Sequence, residues 1–248
     1  MEKYAIIGWP VRHSLSPQMQ EAGFRALGRN ARYDLCETPP EALGQRMEQL
    51  RLDGYRGWNV TVPHKEQVFA MLNHRDGDAV SAGSVNTIVN RDGVLHGFST
   101  DGYGLAAAIH ECFGIATAQT RQLFLGTGGA ARAAAVYAAV HGAAEIILVN
   151  RTISRAEALA ETIRQAAPAC PVRCLPLADD NAIAAVLPSC DVLIQCTSLG
   201  LHAGDPLPFA PELIPPALAV MDMVYGFTPF RTQCAARGCH TADGSGML

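Results

Sequence analysis

The feature that most constrains the fold is a glycine-rich turn between a predicted strand and a predicted helix. The apolar run at residues 122–125 leads into G-T-G-G-A-A-R, and an alanine-rich helical pattern continues to about His141. Glycine at Gly126 and Gly128 permits a tight turn, and Ala131 supplies the third small residue. Backbone amides at the start of such a helix can hold a pyrophosphate. The turn therefore predicts dinucleotide binding; the alternative is a tight turn without a ligand.

The end of the next predicted strand indicates which dinucleotide is bound. About 20 residues after the turn, an NAD-binding protein usually presents Asp or Glu to the ribose hydroxyls. Here Val149 is followed by Asn150, Arg151 and Thr152, with Arg155 nearby. A guanidinium can hold a phosphate through paired, charge-assisted hydrogen bonds, whereas a carboxylate would repel it. The pattern favours NADP over NAD; the alternative is a solvated basic turn.

Strand-length apolar runs alternate with helical patterns along most of the chain, which predicts an α/β fold with parallel sheet and crossover helices. The 248 residues are enough for two modest domains. The pattern changes after Asp101, so we predict a first domain over residues 1–100 with a return segment at 236–248. The second domain is predicted over residues 101–235. Residues 85–89 and 94–98 predict a β-hairpin that forms an antiparallel edge of the first sheet.

Two polar strings in the predicted first domain offer candidate site residues. The hydroxyls of Ser14 and Ser16 flank the start of a predicted helix and suit a small carboxylate; the alternative is ordinary capping by Ser16. Lys65 follows a predicted strand, and Asp101 lies where the chain leaves one domain for the other. Beside a cleft the two could pair, and Lys65 could exchange a proton with a substrate oxygen. The alternative for Lys65 is a solvated surface charge.

Composition excludes several classes of protein. The chain is 49% hydrophobic and 17% charged, which is typical of a globular protein and not of disorder. A net charge of -4 and the lack of a basic block make nucleic acid and anionic membranes unexpected partners. The start, MEKYAIIG, is not a signal peptide, so a cytoplasmic location is expected. The eight cysteines contain no C-x-x-C pair, so we expect buried thiols and no metal.

Eight ordered motifs resemble those of the shikimate dehydrogenase family. They are G-W-P-V-R-H-S-L-S-P, N-V-T-V-P-H-K, A-G-S-V-N-T, S-T-D-G-Y-G, G-T-G-G-A-A-R, N-R-T-I-S-R-A, T-S-L-G and D-G-S-G-M-L, and they span residues 4–248. The resemblance implies an α/β substrate domain followed by a Rossmann-type, doubly wound NADP-binding domain. It also implies reversible NADPH-dependent reduction of 3-dehydroshikimate to shikimate, in the pathway to chorismate and the aromatic amino acids.

The same resemblance implies roles for individual residues. Lys65 and Asp101 would be the catalytic pair. The substrate would be bound by Ser14, Ser16, Thr61, Lys65, Asn86, Asp101 and Tyr225. NADP(H) would be bound by Gly126, Thr127, Gly128, Gly129, Ala130, Asn150, Arg151, Thr152, Arg155, Met223 and Gly244.

The chain departs from the family pattern at three places. Ser99 stands where Asn is usual before T-D-G, and Gln195 with Cys196 stands where Asn-Ala is usual. The sequence stops at Leu248, where the family continues with a substrate-contacting Gln and a closing helix, so we expect a raised KM for shikimate and reduced stability. Two alternatives stay open: a quinate/shikimate dehydrogenase of broader specificity, and a non-catalytic NADPH-binding module. A homodimer is also expected.

Overall fold

The computed structural model describes residues 1–202 and 204–247. The chain forms two compact units, Met1–Thr100 and a second that begins at Asp101. Each unit contains a six-stranded sheet with helices, so the predicted α/β class is confirmed. Leu248, the last residue of the predicted return segment, lies outside the described residues.

The first unit is built around a mixed sheet. Its elements are β1 (Glu2–Gly8), α1 (Ser16–Ala26), β2 (Ala31–Glu37), α2 (Leu43–Leu52), β3 (Gly57–Val60), α3 (Lys65–Met71), β4 (His74–Arg75), α4 (Gly77–Ala82), β5 (Thr87–Arg91) and β6 (Val94–Phe98). The strand order is β2-β1-β3-β5-β6-β4. The hairpin β5-β6 is antiparallel, as predicted. It does not form the edge, however, because the two-residue strand β4 pairs parallel to β6 outside it. Two residues are too few to show a strand periodicity.

Local sequence explains the ends of two helices in this unit. Pro17 occupies the first turn of α1, because its fixed φ suits that position. The N-cap residue of α4 is Asp76, whose carboxylate accepts a 2.7 Å hydrogen bond from the amide of Ala79. Gly83 ends α4 at φ 62°, in the left-handed region that glycine adopts without strain.

The core of the first unit packs α2 against the sheet. Leu43 and Met47 of α2 lie against Ile7, Trp58 and Ile88, and each of these side chains is at most 4% exposed. The indole N–H of Trp58 donates to the sulfur of Met47 at 3.3 Å, so the buried donor has a partner. This core fixes β1 and β3, whose carboxyl ends carry the candidate substrate residues.

The second unit is a parallel sheet. Its elements are α5 (Asp101–Phe113), β7 (Arg121–Leu125), α6 (Gly129–Val140), β8 (Glu145–Asn150), α7 (Ile153–Ala166), β9 (Val172–Pro176), α8 (Asp180–Val186), β10 (Val192–Gln195), β11 (Ala219–Asp222), α9 (Pro229–Ala236) and β12 (His240–Asp243). Short 3-10 turns lie at Pro40–Ala42 in the first unit and at Leu187–Ser189, Pro211–Leu213 and Gly244–Met247 here.

The strand order β12-β11-β10-β7-β8-β9 is the doubly wound Rossmann order, with the reversal between β7 and β10. Strands β7, β8 and β10 are buried on both faces, which is typical of a parallel sheet covered by helices. Among the described residues, none of the helices has both the length and the apolar character that crossing a bilayer requires.

The predicted return of residues 236–248 to the first domain is corrected by the structure. His240–Asp243 forms β12, which pairs parallel with β11 in the second sheet. The physical reason is that α9 makes the crossover from β11 to β12, and a crossover of this kind places the next strand in the same sheet. The described part of the segment therefore completes the second sheet as its sixth strand.

Candidate active site

Five predicted substrate residues lie in loops and at the starts of helices at one edge of the first sheet. Strands β1, β3 and β6 end at this edge and the antiparallel strand β5 begins there. Ser14 and Ser16 follow β1, Thr61 and Lys65 follow β3, and Asn86 immediately precedes β5. The topology therefore gathers residues that are up to 72 positions apart in the sequence.

The loops after β1 and β3 are bound to each other. The amide of Thr61 donates to the carbonyl of Ile7 at 2.9 Å, and the amide of Trp9 donates to the carbonyl of Val62 at 2.9 Å. Glycine is required at Gly8, because a methyl group there would overlap the Thr61 side chain. The two loops thus form one layer at the sheet edge.

The serines after β1 do not act as helix caps in the predicted way. The N-cap of α1 is Leu15, and Ser16 is the first helical residue. The Ser14 hydroxyl accepts a 3.2 Å hydrogen bond from the amide of Ser16. Capping by Ser16 is therefore wrong, and both hydroxyls lie half-buried at the start of the helix.

Lys65 is the first residue of α3, and its backbone is fixed from two sides. The amide of His64 donates to the carbonyl of Thr61 at 3.0 Å, and the amide of Val85 donates to the carbonyl of Lys65 at 3.0 Å. The fully buried His64 ring contacts the carbonyl of Thr38 through Nε2 at 2.7 Å. His64 was not predicted as a site residue, although its position directly before the candidate Lys65 indicated one. The Lys65 side chain is half-buried.

Asn86 joins β3 to the end of β6. Its carbonyl accepts from the amide of Val60 at 2.8 Å, and its own amide donates to the carbonyl of Phe98 at 3.0 Å. Its side chain donates to the Thr100 hydroxyl at 2.9 Å and accepts from the Thr100 amide at 3.0 Å. Asn86 is only 9% exposed, so it organises this edge of the sheet whether or not it contacts a ligand.

The glycine-rich turn in the second unit has the geometry of a phosphate-binding turn. Gly126 has φ 95°, and its amide donates to the carbonyl of Val149 at 2.8 Å. A methyl group there would lie 2.9 Å from the Thr197 side chain and 3.2 Å from backbone atoms of Cys196 and Thr197. The turn thus packs against the segment after β10, at the reversal of strand order where such sheets bind ligands. The N-cap of α6 is Gly128, so no capping side chain competes for the first amides of the helix.

Two arginines are exposed after β8: Arg151 lies in the turn and Arg155 in the first turn of α7. The Asn150 side chain donates to the carbonyl of Thr152 at 2.8 Å, and the Arg155 amide donates to the same carbonyl at 3.1 Å. Arg151 and Arg155 are exposed, and neither forms a salt bridge with any described residue. The residues present therefore fit a dinucleotide that carries a phosphate on its ribose.

A buried polar network at the ends of β10 and β11 was not predicted. Gln195 donates through Nε2 to the carbonyl of Leu199 at 3.0 Å and to Asp222 at 3.4 Å. The Thr228 hydroxyl donates to the other oxygen of Asp222. Gln195 and Asp222 are fully buried, and burial raises the pKa of the Asp222 carboxyl. The signal in the sequence was a polar residue closing each of two apolar strands, V-L-I-Q and A-V-M-D.

Residues predicted to line the site also converge in the second unit. Burial raises the pKa of Tyr225, and the negative charges of Asp101 and Asp243 act in the same direction, so Tyr225 lies within electrostatic range of Asp101. A methyl group at Gly244 would lie 2.7 Å from the carbonyl oxygen of Met223, which places these two predicted cofactor residues side by side. Lys65 belongs to the first unit and Asp101 to the second, so their pairing stays a prediction.

The six parallel strands in Rossmann order, the glycine turn and the basic turn after β8 define a dinucleotide-binding domain joined to a separate α/β domain. The model of the shikimate dehydrogenase substrate binding domain matches residues 6–88, and the model of shikimate / quinate 5-dehydrogenase matches residues 106–201. The chain belongs to the shikimate dehydrogenase family.

Individual relatives agree with this assignment. The NADP(+) shikimate dehydrogenase of Rubrobacter xylanophilus is 44% identical over 89% of this chain and 76% of its own length. Shikimate 5-dehydrogenase from Listeria monocytogenes, solved in complex with shikimate and NAD, has a TM-score of 0.91 at 31% identity, over 100% of this chain and 87% of that one. The Thermus thermophilus enzyme, solved with NADP(H) and shikimate, has a TM-score of 0.86 at 34% identity, over 100% and 89%. The predicted resemblance is confirmed.

Proposed function

We propose that this protein catalyses the reversible NADPH-dependent reduction of 3-dehydroshikimate to shikimate, in the pathway to chorismate and the aromatic amino acids. The observation that carries the proposal is the convergence of hydroxyl, amide and ammonium side chains at one edge of the first sheet, in a chain that matches the family over both units. Shikimate is a carboxylate with three hydroxyl groups, so it needs many hydrogen-bonding partners and few apolar ones.

The proposed chemistry requires a proton donor from the protein. NADPH, when bound at the second unit, would supply the hydride for the carbonyl carbon of the substrate and would itself be oxidised to NADP+. Lys65 donates the proton to the carbonyl oxygen, and it takes that proton back in the reverse direction. Asp101 binds a substrate hydroxyl and the Lys65 ammonium, which keeps the lysine directed at the reacting oxygen. The fixed backbone of Lys65 at the start of α3 supports this role.

Substrate recognition is divided among the remaining polar groups. Ser14 and Ser16 bind the carboxylate at the start of α1, where helix amides favour a negative charge. Thr61, Asn86 and Tyr225 bind hydroxyl groups. A substrate that lacks one of these hydroxyls leaves a polar group of the site unpaired, and this discriminates against it.

Cofactor binding falls to the second unit. Residues 126–130 (Gly126, Thr127, Gly128, Gly129 and Ala130) hold the pyrophosphate through backbone amides. Asn150, Arg151, Thr152 and Arg155 hold the ribose phosphate, and Met223 with Gly244 borders the cofactor at the ends of β11 and β12. The exposure of both arginines and the uncapped start of α6 support these assignments.

The direct test is turnover by the purified protein. NADP+ with shikimate should give a rise in NADPH absorbance, and NAD+ or quinate should give a much smaller one. Comparable turnover of quinate would favour the enzyme of broader specificity instead. Bound NADPH without turnover of either substrate would overturn the proposal in favour of a non-catalytic module.

We further place the reaction in the cytoplasm, with a homodimer as the working form. All eight cysteines are free thiols, which suits a reducing compartment. The dimer stays a prediction, and light scattering after gel filtration tests it: a mass near 26.4 kDa would show a monomer.

A further inference from the structure

Two carboxylates close neighbouring strands at the end of the second sheet. Asp222 is the last residue of β11 and Asp243 the last residue of β12, and they are register partners. Between them runs the segment of residues 223–227, which we call the β11 loop. It carries Tyr225, to which the proposed function gives a substrate contact.

Asp222 holds the start and the end of the β11 loop. Its carboxylate accepts from the amide of Val224 at 3.0 Å and from the hydroxyl of Thr228. Thr228 in turn caps α9, since its oxygen accepts from the amide of Arg231 at 3.1 Å. The loop is thus bound to β11 below and to α9 at its far end.

Asp243 and Arg231 hold the centre of the loop. One oxygen of Asp243 accepts from the amide of Gly226 at 3.0 Å and from the Arg231 guanidinium at 2.9 Å. The same guanidinium nitrogen donates to the carbonyl of Gly226 at 2.8 Å. Both polar backbone atoms of Gly226 are therefore bound by one ion pair, in which each side chain is only 17% exposed.

These contacts hold the backbone on both sides of Tyr225. Its backbone neighbours Val224 and Gly226 are bound by Asp222 and by the Arg231–Asp243 pair, while Tyr225 itself is 51% exposed. A tyrosine χ1 angle has three staggered positions, so a backbone fixed on both sides restricts the hydroxyl to a few directions. Neither Arg231 nor Asp243 has a proposed contact with substrate or cofactor.

We propose that the Arg231–Asp243 ion pair is a positioning device for Tyr225, which sets the affinity for the substrate without touching it. The inference rests on the proposed function, in which Tyr225 binds a substrate hydroxyl. It adds two residues, on α9 and β12, that determine how well that contact is made.

The strand order predicts a result that distinguishes a positioning role of the ion pair from a general effect on stability. Strand β12 lies four strands from β8 in the sheet, a distance of about 19 Å at the usual strand spacing. The turn that carries Arg151 should therefore not respond to a change in the ion pair. Loss of the pair should raise the KM for shikimate and leave the preference for NADP over NAD unchanged.

The test is a double-mutant cycle with R231M and Y225F, measured by steady-state kinetics in the full chain. R231M alone should raise the KM for shikimate about tenfold, because a displaced polar contact loses most of its hydrogen bond. In the Y225F background, which lacks the hydroxyl, R231M should raise KM by less than about twofold, because Arg231 acts through the hydroxyl of Tyr225. R173M is the matched control: it removes a 2.6 Å ion pair with Glu145 from β9 of the same sheet and should leave KM unchanged.

Equal effects of R231M in both backgrounds would overturn the proposal, as would an unchanged KM in R231M. If R231M does not fold, D243N replaces it, since it keeps the shape of the side chain and removes the charge. The same KM rise and the same dependence on Tyr225 are then required. Failure of the proposed function gives a different result, since wild-type protein would then not turn over shikimate at all.

Discussion

Replacing Gly126 with alanine tests the phosphate-binding turn, and the structure gives the magnitude. The residue has φ 95°, where a non-glycine residue costs about 1–3 kcal/mol. The added methyl would also lie 2.9 Å from the Thr197 side chain and 3.2 Å from backbone atoms, and crowding of this kind costs about 1–3 kcal/mol. The free energy of unfolding should fall by about 2–6 kcal/mol, which lowers Tm by roughly 4–24 °C in a unit of this size.

G126A should lower the affinity for the cofactor as well as the stability. The added methyl group would point at Cys196 and Thr197. To remove this close contact, either the turn itself or the segment after β10 has to move. Either movement displaces the amides that would hold the pyrophosphate. We expect G126A to weaken NADPH binding by about tenfold or more, the loss expected from about one hydrogen bond to a charged group.

Two other glycines serve as matched controls. Gly142 has φ 87°, but a methyl there would come no closer than 3.8 Å to Ala118, so G142A carries the strain without the crowding. Gly129 meets nothing within 4 Å, so G129A should leave Tm unchanged or slightly higher. Tm is measured by calorimetry without cofactor, because a bound ligand alone shifts a melt. NADPH affinity is measured separately by titration calorimetry.

The close-approach argument would be refuted by one pattern of results. If G126A and G142A lower Tm by the same amount, close contacts with the neighbours of Gly126 contribute nothing to the loss of stability. If G126A also binds NADPH within about twofold of the wild type, the turn does not hold the cofactor in the proposed way.

Three further predictions test the proposed roles. K65A should lower kcat by about a hundredfold or more while leaving the Kd for NADPH nearly unchanged, and near-normal turnover would exclude Lys65 as the proton donor. R151A should cost about 1.5–3 kcal/mol of binding free energy for NADP(H) and little for NAD(H), whereas R164A, farther along α7, should change neither Kd. Burial acts to raise the pKa of Asp243, but hydrogen bonds from Ser245 and Gly226 and the charge of Arg231 together outweigh it and hold that pKa below its ordinary value. Its stabilising contribution is therefore present at neutral pH and lost as pH falls through the lowered pKa, so Tm of D243N should fall less than that of the wild type between about pH 5 and pH 3.

Several elements could be predicted from the sequence because their signals are local. The glycine-rich turn, the proline in the first turn of α1 and the β5-β6 hairpin depend on backbone preferences of a few residues. The four central strands of the second sheet, β7, β8, β10 and β11, are mainly apolar runs, which burial on both faces requires. Strand β4 and helix α4 were missed because two and six residues are too few to show periodicity.

Other features of the candidate site could not be found in this way. The Gln195–Asp222 contact joins residues 27 positions apart, and the Arg231–Asp243 pair depends on α9 crossing from β11 to β12. The predicted return of residues 236–248 to the first domain was wrong for the same reason. A short polar strand such as H-T-A-D is compatible with either sheet until the crossover that precedes it is known.

The sequence by itself determined which backbone conformations were available at Gly126 and which side chains could bind a phosphate, because both are properties of individual residues. Only the tertiary structure decided that Ser14, Thr61, Lys65 and Asn86 share one sheet edge, since that depends on strand order and direction. The tertiary structure also decided the environment of Asp222. Whether this carboxylate is a solvated surface group or the centre of a hydrogen-bond network depends on which residues cover it. Burial and hydrogen bonding are set by groups distant in sequence, so they follow from the fold and not from the residue.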